Sequence, residues 1–131
     1  MLQEKQLTCR LKAEREIMLT CDLDKIQRVV DNLLRNAVLY GYKDTEVLIE
    51  VAEAGSVVLT CTNHGPTIPK EKLERIFEQF YRLDSARTSS TGGSGLGLAI
   101  AKEIVRLHGG TITAKSQDEV TTFRVELPAN S

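Results

Sequence analysis

At 131 residues the chain has room for one domain with a substantial core and not for two. Its 41% hydrophobic and 27% charged residues, with a formal net charge of -1, exclude a global field directed at nucleic acid or an anionic membrane, so any anion site must be local. No apolar run approaches the roughly 18 residues of a spanning helix, and Met1 to Arg10 is too polar for a signal peptide, which predicts a soluble, cytoplasmic piece.

Leu7 to Leu11 and Ile17 to Cys21 place apolar residues at alternate or adjacent positions and predict an opening strand pair. From Leu23 the period changes. Leu23, Ile26, Val30, Leu33, Leu34 and Ala37 fall within roughly 100° of arc on a helix, with Asp22 or Asp24 to cap its start. Glu46 to Ala54 and Ser56 to Thr62, rich in Val, Ile, Leu and Thr and joined around Gly55, predict a hairpin. After a turn-rich stretch from Asn63 to Pro69, Lys70 to Phe80 carries Leu73, Ile76, Phe77 and Phe80 at helical spacing. Asp84 to Gly95 is Ser, Thr, Gly and charged residues almost throughout and predicts a mobile loop. Leu96 to His108 resumes helical spacing, stops at Gly109-Gly110 and gives way to strands over Thr111 to Lys115 and Thr122 to Leu127. The sum is one α/β domain, a mixed sheet of about five strands covered by about three helices. Cys9, Cys21 and Cys61 are too far apart for a zinc knuckle, have only His64 and His108 to join them, and read as small thiols in a reducing compartment.

Three places carry chemistry. Asn32 and Asn36 are four apart, hence roughly 40° apart around the helix axis, and Tyr40 follows on the same row, all bordering the apolar arc. Asparagine competes for backbone hydrogen bonds within a helix, so the pair suggests carbonyl oxygens offered outward. Magnesium on a nucleotide is a natural recipient, a hard ion that keeps phosphate oxygens and takes few protein ligands; alone, the pair also fits two solvated surface asparagines. Next, Gly92-Gly93-Ser94-Gly95-Leu96-Gly97-Leu98 runs a glycine-dense loop into a helix whose unpaired amides favour a phosphate. It follows neither the Walker pattern nor a dinucleotide fingerprint, and alone it also fits a hinge. Arg82 and Arg87 lie upstream, within reach of phosphate oxygens. Last, Asn63-His64-Gly65-Pro66-Thr67-Ile68-Pro69 ends a strand in a side-chain carbonyl followed by glycine, which can receive the exocyclic amine of adenine and leave room for the ring; alone it also fits an ordinary turn.

In this order and at these distances, the three motifs resemble the catalytic ATP-binding domain of bacterial sensor histidine kinases, over roughly Asp22 to Pro128. Asp31 to Ala37 resembles that family's N box, Asn63 to Ile68 its G1 box, Arg75 to Arg82 its F box and Gly93 to Ile100 its G2 box; Thr121 to Pro128 is similar to its closing strand. The run from Phe80 to Asp84 and on through Gly93 to Lys102 is most similar to the vancomycin-resistance sensor kinases. The resemblance implies a Bergerat-type two-layer α/β sandwich, shared with gyrase, Hsp90 and MutL, with ATP between the first long helix and a lid over Asp84 to Ser94. It implies Asn36 as the magnesium ligand, Asn32 near the phosphates and Tyr40 as a pocket wall. Asn63, Gly65 and Thr122 would hold adenine, directly or through water, and Arg82 with the amides around Gly95, Leu96, Gly97 and Leu98 the phosphate tail, with Ile68 and Gly93 as further nucleotide contacts.

Two departures stand out. The family usually has aspartate where this chain has Asn63, which still accepts from adenine's amine but without a charge, and Leu39 stands where a basic residue often follows the N box. The implied reaction is donation of the ATP γ-phosphoryl group to a histidine on a separate helical dimerisation domain, for relay to a response-regulator aspartate in glycopeptide-resistance signalling. Neither His64 nor His108 has the acidic neighbour and helical hairpin expected of that acceptor, which predicts no autophosphorylation by this chain alone. Hydrolytic relatives carry a glutamate at the Asn32 position, so sustained ATPase activity is not expected. The implied whole protein has membrane segments and a receptor upstream of Met1, while the fragment itself is expected to be a monomer. Rival readings are an anti-sigma-factor type serine kinase, which would carry an acidic residue at position 32 and no F box, and an interaction module that has lost its nucleotide.

Overall fold

A computed structural model describes residues 8–13, 23–78 and 97–128. An apolar row recurring every four residues builds helix α1, Leu23–Tyr40, on which Val29, Leu33 and Ala37 are buried. The seam therefore centres on Val29 rather than on its half-buried neighbour Val30. Asp24 lies in the first turn, where the helix dipole favours an acid.

Among the described residues five strands form one sheet in the order β1-β2-β3-β5-β4. They are β1 Thr8–Ala13, β2 Glu46–Ala54, β3 Ser56–His64, β4 Thr111–Gln117 and β5 Val120–Pro128. β1 runs parallel to β2, with Thr8 opposite Glu46, and every other pairing is antiparallel, so the sheet is mixed as predicted. The first strand thus finds its partner in β2, while the strand expected over 17–21 lies outside the described residues. Gly55 closes the β2–β3 hairpin at φ 79°, where Ala54 pairs with Ser56.

Alternation assigns the faces of the sheet. Cys61 and Asn63 on β3, and Thr121, Phe123, Val125 and Leu127 on β5, are buried on the helix-covered side. Ile112 on β4 joins them, and Val47 and Ile49 extend the same core on β2. Helix α3, Gly97–Leu107, lies against α1 and buries Ala101, Ile104 and Val105. It stops in a Schellman arrangement: Gly109 takes φ 76°, its amide donates to the Arg106 carbonyl at 2.9 Å, and the Gly110 amide reaches the Val105 carbonyl at 2.9 Å.

The helix predicted over Lys70 to Phe80 is a single turn, α2, Lys70–Leu73. Beyond it the amides of Arg75 and Glu78 bond three residues back, to the carbonyls of Lys72 and Arg75, so the chain tightens into successive turns. These turns still bury Ile76, and they bring Phe77 edge-on to Phe123, ring centroids 6.1 Å apart. Lys102 of α3 lies over the Phe77 ring at 5.7 Å and ties the segment to that helix. Among the described residues no helix is long and apolar enough to cross a membrane.

Candidate functional site

The polar row of α1 passes two other segments. Asn32, Asn36 and Tyr40, each half-buried, follow one another at four-residue spacing beside the buried seam. At one end of the row the Asn32 Nδ2 donates to the carbonyl of Gly97 at 3.0 Å, which fixes the side chain against the first residue of α3. This bond uses one amide hydrogen of the carboxamide, whose oxygen is by chemistry a hard acceptor. Gly97 itself has room: a methyl group on it would meet the Asn32 Cγ at 3.8 Å, an ordinary contact.

At the other end of the row the turn after β3 closes on the end of α1. A methyl group on Gly65 would sit 2.4 Å from the Tyr40 carbonyl oxygen and 3.3 Å from the Asn63 Nδ2. Glycine is therefore required here by the protein's own backbone, apart from any space a ligand needs. Asn63, 4% exposed, stands at the base of the turn on the helix-covered face. Its carboxamide can both accept from and donate to a flat heterocycle.

Neighbouring strands hold this turn by a short relay. The Ile68 amide donates to Ser116 Oγ at 2.8 Å, and Ser116 Oγ lies 2.8 Å from Thr121 Oγ1. Thr121 is cross-strand neighbour to Asn63 and is itself buried. Thr122, expected at the adenine, is on the opposite face of the sheet, its hydroxyl 3.2 Å from that of Thr62. The strand period forces this correction, because Phe123, Val125 and Leu127 face the helices and their even-numbered neighbours cannot. Thr121 is thus the threonine on the site's side.

A second tie comes from the two-residue turn between β4 and β5. The Gly65 amide donates to the Glu119 carbonyl at 3.0 Å, and the Glu119 amide donates to Thr67 Oγ1 at 2.8 Å. Across the same spot the Tyr42 hydroxyl donates to the Glu119 carboxylate, and this bond holds the phenol above its usual pKa. The Tyr42 amide reaches the His64 carbonyl at 2.6 Å, joining the end of α1 to the end of β3.

Asn32, Asn36, Tyr40, Asn63, Gly65, Ile68, Gly97 and Leu98 are all described and belong to the α1 edge or to the two segments that meet it. Arg82, Arg87, Gly93, Gly95, Leu96 and the loop expected from Asp84 to Ser94 lie outside the described residues. Ser116, Thr121, Glu119 and Tyr42 were not singled out from sequence; alternation from Phe123 identifies Thr121, whereas no local pattern marks the other three. Among the described residues no group of three or more His, Cys, Asp or Glu could cage a metal, and the Asn32 carboxamide lies at the α3 terminus. Cys61 is not in a disulfide and lies buried in the core that α1 and α3 cover. His108 hydrogen-bonds through Nδ1 to the Ile104 carbonyl at 2.9 Å, one turn back along α3.

A polar helix edge meeting a glycine helix start, with a buried carboxamide at a strand end, lies on a two-layer α/β fold. Residues 21–131 match the histidine kinase-, DNA gyrase B- and HSP90-like ATPases, and the chain belongs to that family. Within it the relatives are sensor kinases. The chain is 48% identical over 128 residues to the sensor protein VanSC of Enterococcus gallinarum, covering 98% of this chain and 36% of that protein. It is 50% identical over 119 residues to the sensor protein VanS of Enterococcus faecium, covering 91% and 31%. The sensor histidine kinase WalK of Bacillus subtilis is 40% identical over 119 residues, 88% of this chain and 20% of the relative. The chain thus spans about a third of the VanSC and VanS lengths. Among solved structures, the catalytic domain of the histidine kinase ThkA superposes with a TM-score of 0.84 at 26% identity, over 98% of this chain and 82% of that one. The mycobacterial sensor histidine kinase MprB gives 0.84 at 28%, over 98% and 88%. By sequence and by fold the chain falls with the catalytic domains of sensor histidine kinases.

Proposed function

We propose that this chain binds ATP with magnesium along the polar edge of α1 and donates the γ-phosphoryl group to a histidine on a separate helical domain. One observation carries the reading. The Asn32 bond to Gly97 and the seating of Gly65 on Tyr40 set a phosphate-suited helix start and a base-suited turn at the two ends of one helix row. On this reading Asn36, one turn beyond Asn32, takes the role of magnesium ligand, and Asn32 that of a polar contact near the phosphates. Tyr40 serves as a wall of the pocket. Asn63 receives the adenine amine within a turn shaped by Gly65 and Ile68, with Thr121 beside it on the same face.

Phosphoryl transfer asks the protein chiefly for placement and charge. Magnesium, when bound, neutralises developing charge on the phosphates. The α3 terminus at Gly97 and Leu98 directs backbone amides toward the phosphate tail, with Gly93, Gly95, Leu96 and Arg82 as further contacts. No glutamate occupies the Asn32 position to activate water, so transfer to an external acceptor is favoured over hydrolysis.

The likeness to VanS and VanSC supports a role in glycopeptide-resistance signalling, in a whole protein held at the membrane and acting on a response regulator. A solved complex of ThkA with the response regulator TrrA, TM-score 0.79, supports that type of partner. The test is calorimetric titration of this chain with a non-hydrolysable ATP analogue, with and without magnesium, beside a GTP analogue. Magnesium-enhanced, adenine-selective binding is the expected result; a folded chain that binds neither analogue sinks the reading and leaves the interaction module.

A further inference from the structure

Asp118 and Glu119 form the two-residue turn between Gln117 and Val120, and both take positive φ, 53° and 63°. This is the backbone of a type I′ turn, whose second position favours glycine. A glutamate held there is costly in conformation, and such strain persists only where surrounding contacts over-determine it.

Those contacts converge on the base-side half of the proposed nucleotide site. The Glu119 carbonyl accepts from the Gly65 amide, the Glu119 amide donates to Thr67 Oγ1, and the Glu119 carboxylate accepts from the Tyr42 hydroxyl. Gly65 is the residue pressed on the Tyr40 carbonyl, next to buried Asn63. Tyr42 is two residues beyond α1 and carries the clamp to the end of the helix that bears Asn32 and Asn36. The two bonds made by the Glu119 main chain, one to the Gly65 amide and one to the Thr67 hydroxyl, therefore fix the turn's height, and the Tyr42–Glu119 bond fixes the distance between turn and helix end. Glycine at 119 would satisfy the two main-chain bonds with less strain; only the carboxylate explains glutamate.

We infer that Glu119, with Tyr42, is a positioning pair that sets the Asn63–Gly65 turn against the end of α1 and thereby tunes recognition of the adenine base. The inference rests on the nucleotide-binding reading and adds to it a pair that touches neither base nor phosphate. Glu119→Gly removes the carboxylate and relieves the strain. Tyr42→Phe removes only the donor, and Glu119→Gln keeps an acceptor.

The experiment titrates each variant of the chain with a non-hydrolysable ATP analogue in magnesium and, separately, with magnesium tripolyphosphate, which has no base. Thermal unfolding is followed in parallel. Glu119→Gly and Tyr42→Phe should each weaken the ATP analogue about three- to tenfold, the range of one lost hydrogen bond. The double variant should lose no more than either single one. Tripolyphosphate binding should be unchanged, Glu119→Gln should bind within about twofold of the parent, and Glu119→Gly should melt no lower than the parent. If the parent binds the analogue and both single variants bind it equally well, the pair does not position the base. If both probes weaken together as the melting temperature falls, the pair is merely structural and the inference is overturned. A parent chain that binds no adenine nucleotide overturns the underlying reading instead.

Discussion

The two ends of the α1 row are supported differently. At its C-terminal end, a backbone bond from Tyr42 to His64, the contact of Gly65 with Tyr40, the Ile68–Ser116–Thr121 relay and the Glu119 clamp bind the turn to the sheet and helix. At the Asn32 end, among the described residues, α1 meets the start of α3 through the side-chain bond from Asn32 Nδ2 to the Gly97 carbonyl, beside the packing of the two helices. On the proposed reading the two ends would have two tasks: the braced turn would match a flat base with fixed donors and acceptors, and the carboxamides and helix amides would meet a metal-bound triphosphate.

The largest effect should come from breaking the rigid end. Gly65→Ala drives a methyl group into the Tyr40 carbonyl and should cost about 1–3 kcal/mol of stability, with adenine-nucleotide binding lost in parallel; chemical denaturation and titration measure both. At the other end, Asn36→Ala should weaken the ATP analogue about tenfold or more and abolish the magnesium enhancement, with the melting curve unchanged. Unchanged affinity in that variant would remove Asn36 from the metal's ligands. A smaller effect tests the faces of β5. Thr121→Val breaks the Ser116 relay and should cost about 0.5–1.5 kcal/mol and weaken the nucleotide several-fold, whereas Thr122→Val, on the outer face, should leave binding as it is.

The smallest effect lies away from the site. The hydrogen bond from Ser56, at 2.6 Å, and the Arg124 ion pair hold the Glu126 carboxyl below its ordinary pKa. A depressed folded-state value adds stability above the unfolded pKa and loses it as pH falls through the folded one. Glu126→Gln should therefore melt slightly lower than the parent near neutral pH, with the gap closing in acid. A gap independent of pH would assign the effect to packing.

Much of the first region's frame could be read from periodicity alone. Helix α1 follows from its four-residue apolar row, the β2–β3 hairpin from β-branched runs about Gly55, and the row Asn32, Asn36, Tyr40 from the same helical period. The family resemblance then joined motifs that were each ambiguous alone. Thr122 was misplaced although the alternation through Phe123, Val125 and Leu127 already pointed to Thr121. Beyond the single turn of α2 the segment keeps helical spacing without a helix, because bonds three residues back suffice to bury Ile76 and bring Phe77 against Phe123. The clamp was not legible, since Tyr42 and Glu119 are 77 residues apart and meet only when the β4–β5 turn folds over the end of β3.

Chemical-shift mapping of the isotope-labelled chain with a non-hydrolysable ATP analogue, with and without magnesium, tests the two-ended site most directly. The account predicts shifts at Asn63, Gly65, Ile68 and Thr121 in both conditions, further shifts at Asn32, Asn36 and Gly97 that grow with magnesium, and a quiet outer face at Thr62 and Thr122. Shifts on the outer face, or none along the α1 row, would contradict it.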